Sequence, residues 1–362
     1  MKTYFPEIKK NFGFGMMRLP MAGEEVDIAQ TTKMVDAFLS AGFNYFDTAH
    51  GYIDGKSELA IKECVTSRYP RDSFVLANKL SGSCFQEEAD LQPLFDSQLQ
   101  TCGVDYFDFY LLHALSEERN QLFTHANAHA FARRLKAEGK VHHLGFSYHG
   151  TPEFLDRFLT ENPDMEFVQL QFNYVDYEDP HVESRRCYEV CRKHQKPVFI
   201  MEPVKGGSLV NLPTEAMELL DASPASYAIR FAAGFAGVAM VLSGMSNMEQ
   251  VEDNLSYMTD FIPLREEEQE IVAKVRTLYQ AQNRIPCTAC RYCVDGCPAG
   301  IPIPDVFALM NQKLSKEGEP EKDYTQLPVH ADACLDCGKC EKECPQHLHI
   351  RKLLKEITKA FA

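Results

Sequence analysis

A chain of 362 residues with 45% apolar content exceeds a single core of ordinary size and points to one large domain with a small companion. A formal charge of −15 argues against a nucleic-acid surface, and no window approaches 18 uninterrupted apolar residues, so no membrane span is expected. The opening stretch Met1 to Pro6 lacks the apolar core of a signal peptide, and thirteen cysteines outside any secreted-scaffold pattern imply a reducing, cytoplasmic setting.

Along the chain, short apolar runs alternate with longer segments of helical period, the pattern of repeated βα units around a parallel sheet. The first run is Phe12 to Met17, where Gly13 and Gly15 allow close backbone approach. A helix is predicted over 27–40, with Met34, Val35, Phe38 and Leu39 on one stripe and Gly42 as the stop. Strands follow at Asn44 to Asp47 and at Phe74 to Lys79, the latter a continuous apolar run ending in a charge, as expected of a strand buried on both faces. Leu91, Leu94, Phe95 and Leu99 mark the next helix. Phe107 to His113 and Val141 to Ser147 are the fourth and fifth strands, separated by a helix that carries Phe131 and Leu135 and stops at Gly139. Thr151 and Pro152 form a cap followed by a first-turn proline. The last three strands are Phe167 to Asn173, Val198 to Glu202 and Val238 to Gly244. Eight strands with eight helices predict an α/β fold of the (β/α)8 or TIM-barrel type, for which about 250 residues is typical. The barrel is placed at 1–262, a charged connecting helix at 263–285 and a second domain at 286–362.

Chemistry in such a barrel sits at the C-terminal ends of the strands. Four polar residues fall there: Asp47 ending strand two, Tyr52 just after it, Lys79 ending strand three and His113 ending strand four. In FDTAHGY, VLANKL and YLLHAL, which hold these four, the sequence resembles the aldo-keto reductase superfamily over residues 1 to about 260. Singly, each residue reads as a cap or a satisfied core group; together on successive strands they point to carbonyl reduction. Hydride arriving at a carbonyl carbon leaves charge on its oxygen, so an acid must meet that oxygen. By resemblance Tyr52 is that acid, Lys79 favours its ionised form, Asp47 holds Lys79, and His113 orients the substrate oxygen.

The same resemblance implies a nicotinamide dinucleotide, NADP or NAD, extended across strands five to eight. Ser147 and Gln171 would hold the carboxamide, and Met201 stands where an aromatic residue commonly stacks on the nicotinamide. Gly206, Gly207 and Ser208 would offer backbone amides to the pyrophosphate. Gly244, Ser246, Gln250 and Asn254 would face the adenosine end. Tyr148 stands where the family often has an asparagine. Glu252 and Asp253 sit where many members place the cations that grip a 2′-phosphate, which leaves NAD, NADP or even a flavin open. Lys205 reads either as a phosphate contact or as a solvated loop lysine. Cys64, Cys102, Cys187 and Cys191 read as buried thiols, while Cys84 and His149 are candidates for the pocket wall.

The last part of the chain carries the run C-x2-C-x2-C-x3-C-P twice, at Cys287, Cys290, Cys293 and Cys297 and at Cys334, Cys337, Cys340 and Cys344. Three thiolates of such a loop reach three corners of a cubane while the fourth points to another cluster. Two copies predict two [4Fe–4S] clusters with crossed ligation, Cys287, Cys290, Cys293 and Cys344 on one, Cys334, Cys337, Cys340 and Cys297 on the other. A zinc ribbon would leave the third and fourth cysteines surplus. This tail resembles the bacterial two-cluster ferredoxins, and Val306, Phe307, Leu309 and Met310 between the motifs predict added helical cover.

Joining a hydride donor to one-electron centres leaves three readings. The clusters exchange electrons at the barrel mouth, through a flavin or an external carrier such as ferredoxin; or they cap an ordinary carbonyl reductase or recruit a partner; or the barrel has lost its chemistry and the protein carries electrons. The intact Asp47, Tyr52, Lys79 and His113 speak against the third.

Overall fold

The computed structural model describes residues 4–361. The ends of the expected domain spans, residues 1–3 and 362, and with them the start of the opening stretch, lie outside the described residues. Eight parallel strands close into a barrel: β1 (Phe12–Gly15), β2 (Tyr45–Asp47), β3 (Val75–Ser81), β4 (Phe107–Leu115), β5 (Val141–Tyr148), β6 (Phe167–Gln171), β7 (Val198–Met201) and β8 (Val238–Gly244). Each pairs with its neighbour in sequence and β8 returns to β1, so the sheet has no free edge.

The strands lie where alternating apolar runs predicted them, with shifts at the ends that have local causes. β3 continues to Ser81 because its ladder with β4 runs on to the pair Ser81 and His113. β6 stops at Gln171 because Asn173 turns back, its Oδ1 accepting from the Val175 and Asp176 amides at 3.0 and 2.9 Å. β7 ends at Met201 because Glu202 adopts the left-handed region at φ 58°. A two-stranded hairpin, Met21–Ala22 with Glu25–Val26, was not foreseen; runs of two residues carry no readable period.

The barrel interior is filled by Tyr45, Phe109, Phe167, Phe199 and Met240, and its floor is plugged by Phe5, which meets Phe109 edge-on at 5.0 Å. A larger apolar layer lies between the strands and the helices that surround them. Cys64, Cys102, Cys187 and Cys191 are buried there, as expected of structural thiols. Because the floor is packed, the cavity opens at the other end, where the strands finish.

The helix Glu266–Ala281 is part of the barrel wall: Val272, Val275 and Tyr279 pack with Tyr174, Leu209 and Tyr227. The cysteine-bearing tail has its own small core of Ile301, Ile303, Val306, Phe307, Ile350 and Leu354, which includes the expected cover helix at Ile303–Ser315. That tail sits directly on the barrel mouth. Arg18 Nη2 donates to Thr288 O at 2.5 Å, and Arg119 Nη2 donates to Glu343 Oε2 at 2.8 Å. Among the described residues no helix is long and apolar enough to cross a membrane.

Two glycines are fixed by these contacts. A Cβ on Gly145 would lie 2.6 Å from the Phe167 ring, so Gly145→Ala overpacks the barrel and is expected to cost about 1–3 kcal/mol in urea unfolding. A Cβ on Gly206, at φ 63°, would lie 2.5 Å from Thr288 O, at the seam between barrel and tail. Gly206→Ala should therefore leave the barrel's circular dichroism intact while speeding proteolysis across 282–300; unchanged cleavage would show the seam to be tolerant.

Candidate active site

A cavity of about 550 Å³ runs along the mouth, from Asp47, Tyr52 and His113 at one end to Ser246, Gln250 and Asn254 at the other. Its chemistry begins with a shielded ion pair. Lys79 Nζ donates to Asp47 Oδ1 at 2.5 Å and to Thr48 O at 2.7 Å, and both charged side chains are buried. Burial pushes the Asp47 carboxyl up and the Lys79 ammonium down, and each charge opposes the other's shift. Tyr52 lies under the ammonium, with Lys79 Nζ 4.7 Å from its ring centroid. The cation therefore faces the ring and not the hydroxyl, because its hydrogen bonds go to Asp47 and Thr48. Burial holds the Tyr52 hydroxyl well above its ordinary range, the Asp47 charge adds to this, and a hydrogen bond from Tyr292 and the Arg18 charge oppose it. His113 is fixed by Ser81, with Nδ1 and Oγ 2.6 Å apart. Burial, aided by the Lys79 and Arg119 charges, holds it neutral, well below its ordinary range. Lys79 stands behind Asp47 and does not line the cavity.

Of the residues expected to hold a nucleotide, Gln171, Met201, Gly206, Gly207, Gly244, Ser246, Gln250 and Asn254 line the cavity. Ser147 and Ser208 do not. Ser147 Oγ accepts the Ala114 amide at 2.7 Å, while Ser208 Oγ donates to Lys205 O at 2.8 Å and accepts from Tyr279 at 3.0 Å. Gly206 meets Thr288 in the tail, so its lack of a side chain serves docking. Lys205 is neither of the alternatives that the sequence left: it is buried in an ion pair with Asp176, and its Nζ donates to Gln346 Oε1 at 3.2 Å. His149 lines the cavity, pushed down to about 3 by burial, whereas Cys84 does not.

Several lining residues escaped the sequence reading. Glu202 follows β7 in a strained backbone conformation, and burial raises its carboxyl. Its place after a barrel strand was the same signal that marked Asp47. Arg18, just after β1, shared that signal, whereas Tyr292 and Gln346 carried none, since their position depends on how the tail docks. Asp47 Oδ2, Gln169 Oε1, Glu202 Oε2 and His149 Nδ1 are buried at this mouth without a hydrogen-bond partner among the described residues. Buried polar atoms are rarely left so, and their gathering around one cavity fits a polar ligand there.

The tail gathers its cysteines in two groups. Cys287, Cys290, Cys293 and Cys344 line one small cavity, and Cys297, Cys334, Cys337 and Cys340 line another. Apolar neighbours enclose both, Phe307, Leu348 and Ile350 around the first, Ile301, Leu335 and Leu354 around the second. Burial pushes the Cys290 thiol up to about 12 and that of Cys340 to about 11. Such thiols ionise when a cation is bound among them, so two sets of four in apolar pockets have the donor chemistry of iron–sulfur sites. Cys290 also lines the large cavity, together with Tyr52.

Comparison with known proteins agrees with this geometry. The aldo/keto reductase family model matches residues 11–277, and a 4Fe-4S dicluster domain model matches 286–349. An aldo-keto reductase of Mycolicibacterium smegmatis is 30% identical over 157 residues, 43% of this chain and 54% of that protein. The NADH-specific methylglyoxal reductase of Escherichia coli is 25% identical over 201 residues, 50% of this chain and 59% of its own length. The chain thus spans about half the length of these curated relatives. In fold, it matches an aldo-keto reductase from Klebsiella pneumoniae solved with NADPH, at a TM-score of 0.60 and 21% identity over 74% of this chain and 90% of that one. The holo form of an aldo-keto reductase from Bacillus halodurans matches at 0.61 and 22%, over 73% and 91%. With its family model covering most of the sequence and its eight strands closed into a parallel barrel, this chain belongs to the aldo/keto reductase family.

Proposed function

We propose that this protein is an oxidoreductase that reduces a small carbonyl compound to an alcohol with a nicotinamide dinucleotide, at a mouth walled on one side by a domain that holds two [4Fe–4S] clusters. The observation that carries this reading is the shared cavity: Tyr52 and a neutral His113 stand at one end, beside Cys290 of the first cysteine group, and the space continues to the start of the helix Met248–Met258.

A bound nicotinamide would supply the hydride, and clusters held by the two cysteine groups would supply or accept single electrons. The protein's own part is to place the carbonyl and give it a proton. With His113 Nδ1 engaged by Ser81, Nε2 is the nitrogen left to meet a substrate oxygen. The Tyr52 hydroxyl donates the proton to that oxygen. As it does so, negative charge grows in the phenol ring, and the fixed Lys79 cation over the ring face stabilises it. Asp47 keeps that cation charged inside a dry site.

At the far end, Glu249 and Asp253 line the cavity. Carboxylates there repel a 2′-phosphate, which supports NAD over NADP, in line with the cofactor in the name of the Escherichia coli relative. The place of Cys290 in the wall of the same cavity as Tyr52 favours electron exchange over a remote structural role for the clusters, with a flavin or an external ferredoxin as the mediators to be sought.

Tyr52→Phe should lower kcat for a test aldehyde by about 10²–10⁴-fold while nucleotide affinity changes little, as measured by steady-state kinetics and calorimetry. Unchanged turnover would assign the barrel a non-catalytic role. In an anaerobic visible spectrum, NADH should bleach part of the iron–sulfur absorbance. Aldehyde reduction with no bleaching at any stage would leave the clusters as a structural cap.

A further inference from the structure

The second cysteine run carries an amide side chain into the barrel mouth. Gln346, two residues after Cys344, is 6% exposed and forms a reciprocal pair with Gln171 at the end of β6. Gln171 Nε2 donates to Gln346 Oε1 at 3.0 Å, and Gln346 Nε2 donates to Gln171 Oε1 at 3.0 Å. The orientation of both amides is dictated by charge. The Asp176 carboxylate can accept but not donate, and it receives Gln171 Nε2 at 2.8 Å. The Lys205 ammonium can donate but not accept, and it gives to Gln346 Oε1 at 3.2 Å. Asp176 and Lys205 are themselves a buried ion pair, so neither amide can turn over without breaking a bond to a charge.

One donor and one acceptor of this pair remain free. Both hydrogens of Gln171 Nε2 are engaged, by Asp176 and by Gln346, and Gln346 Oε1 already accepts from Gln171 and Lys205. There remain the second hydrogen of Gln346 Nε2 and the second lone pair of Gln171 Oε1. These lie on the same flank of the paired amides, because the Gln346 Nε2 to Gln171 Oε1 bond joins the two atoms that carry them. A donor beside an acceptor is the complement of a primary carboxamide, whose oxygen takes the donor and whose N–H meets the acceptor. Both glutamines line the large cavity, as do Met201 and the unpartnered Gln169 Oε1.

We propose that Gln346 and Gln171 together form the seat for the nicotinamide carboxamide, with the cysteine-bearing domain supplying the donor. This rests on the nicotinamide-linked reading above and adds what Gln171 cannot provide, since its own amide hydrogens are taken. It also joins the two halves of the molecule at one residue, because the Gln346 backbone N–H donates to the sulfur of Cys344. The cofactor site is therefore incomplete until the tail is docked.

The test is calorimetric binding to the intact, cluster-loaded protein under anaerobic conditions, with NAD⁺, NADP⁺, the 3-acetylpyridine and nicotinic-acid analogues of whichever binds, and ADP-ribose as a ligand without the ring. The acetylpyridine analogue keeps the carbonyl but lacks the N–H, and should bind about tenfold more weakly. The nicotinic-acid analogue presents a carboxylate to Gln171 Oε1 and should bind at least as weakly as ADP-ribose. Gln346→Met should weaken the parent nucleotide about tenfold and leave ADP-ribose unchanged, with iron content and visible absorbance as checks that the clusters are retained. Equal binding of the nicotinic-acid analogue and its parent, or full nucleotide affinity in Gln346→Met with its clusters retained, would overturn the seat while leaving the nicotinamide reading in place. Failure of both NAD⁺ and NADP⁺ to bind the unmodified protein would overturn both together. Should Gln346→Met lose its clusters, the analogue series on the unmodified protein decides the matter.

Discussion

Desolvation at the barrel mouth is the constraint from which the other features of this site follow. A second domain lies over the ends of the strands, and the polar groups buried there, shielded from water that would screen charge, each need a partner inside the protein. Two buried ion pairs meet that need, Lys79 with Asp47 on one side of the cavity and Lys205 with Asp176 on the other. Such pairs contribute little net stability, since the cost of burying each charge offsets their attraction, but removing one partner leaves an uncompensated charge. Their value here is orientation. The first pair fixes a cation over the Tyr52 ring, and the second fixes which way two glutamine amides face.

The same dryness decides protonation. His113 is neutral because burial and nearby cations disfavour a further positive charge, so it can orient an oxygen without competing with Tyr52 as an acid. Tyr52 itself is held above its ordinary range by burial, which in the proposed reaction would keep its proton in place until charge develops on the substrate oxygen. An acid reluctant in the resting state and assisted by a fixed cation at the moment of transfer has its stabilisation concentrated in the transition state, where it lowers the barrier.

Much of this could be read from the chain before any coordinates. The eight strands were legible because strands in a parallel barrel are buried on both faces and appear as unbroken apolar runs, as in β3. Asp47, Tyr52 and His113 are legible because they lie at or near the ends of such runs, where barrel chemistry occurs, although β4 runs past His113 to Leu115. The crossed cysteine grouping was legible because its spacing is set by the reach of short loops. What could not be read lies at the seam. Tyr292, between two cysteines, and Gln346, just after the last one, are unremarkable until docking brings them against Tyr52 and Gln171, and the sequence has no term for the placement of one domain on another. Lys205 shows the same limit, since a lysine in a glycine-rich loop reads as a phosphate contact or as solvated unless its partners Asp176 and Gln346 are known. Glu202 is a different case: its position at a strand end is visible, but at that strand end the resemblance assigns a role to Met201 alone.

Covering the mouth also narrows what the site can accept. In a barrel of this kind the loops after the strands set the substrate pocket, and here part of that boundary is made by Tyr292 and Cys290 of the tail. Tyr292 is packed edge-on against His113 at 6.3 Å and hydrogen-bonds Tyr52, so the wall beside the candidate proton donor is an aromatic side chain placed between two cysteines of one group. A change in the charge or geometry of that group would be felt at the wall directly, without a long path through the barrel. In the proposed reaction, substrate size, proton delivery and the placement of the cysteine-bearing domain would therefore be coupled through that wall, and a variant that loosens the domain should alter all three together.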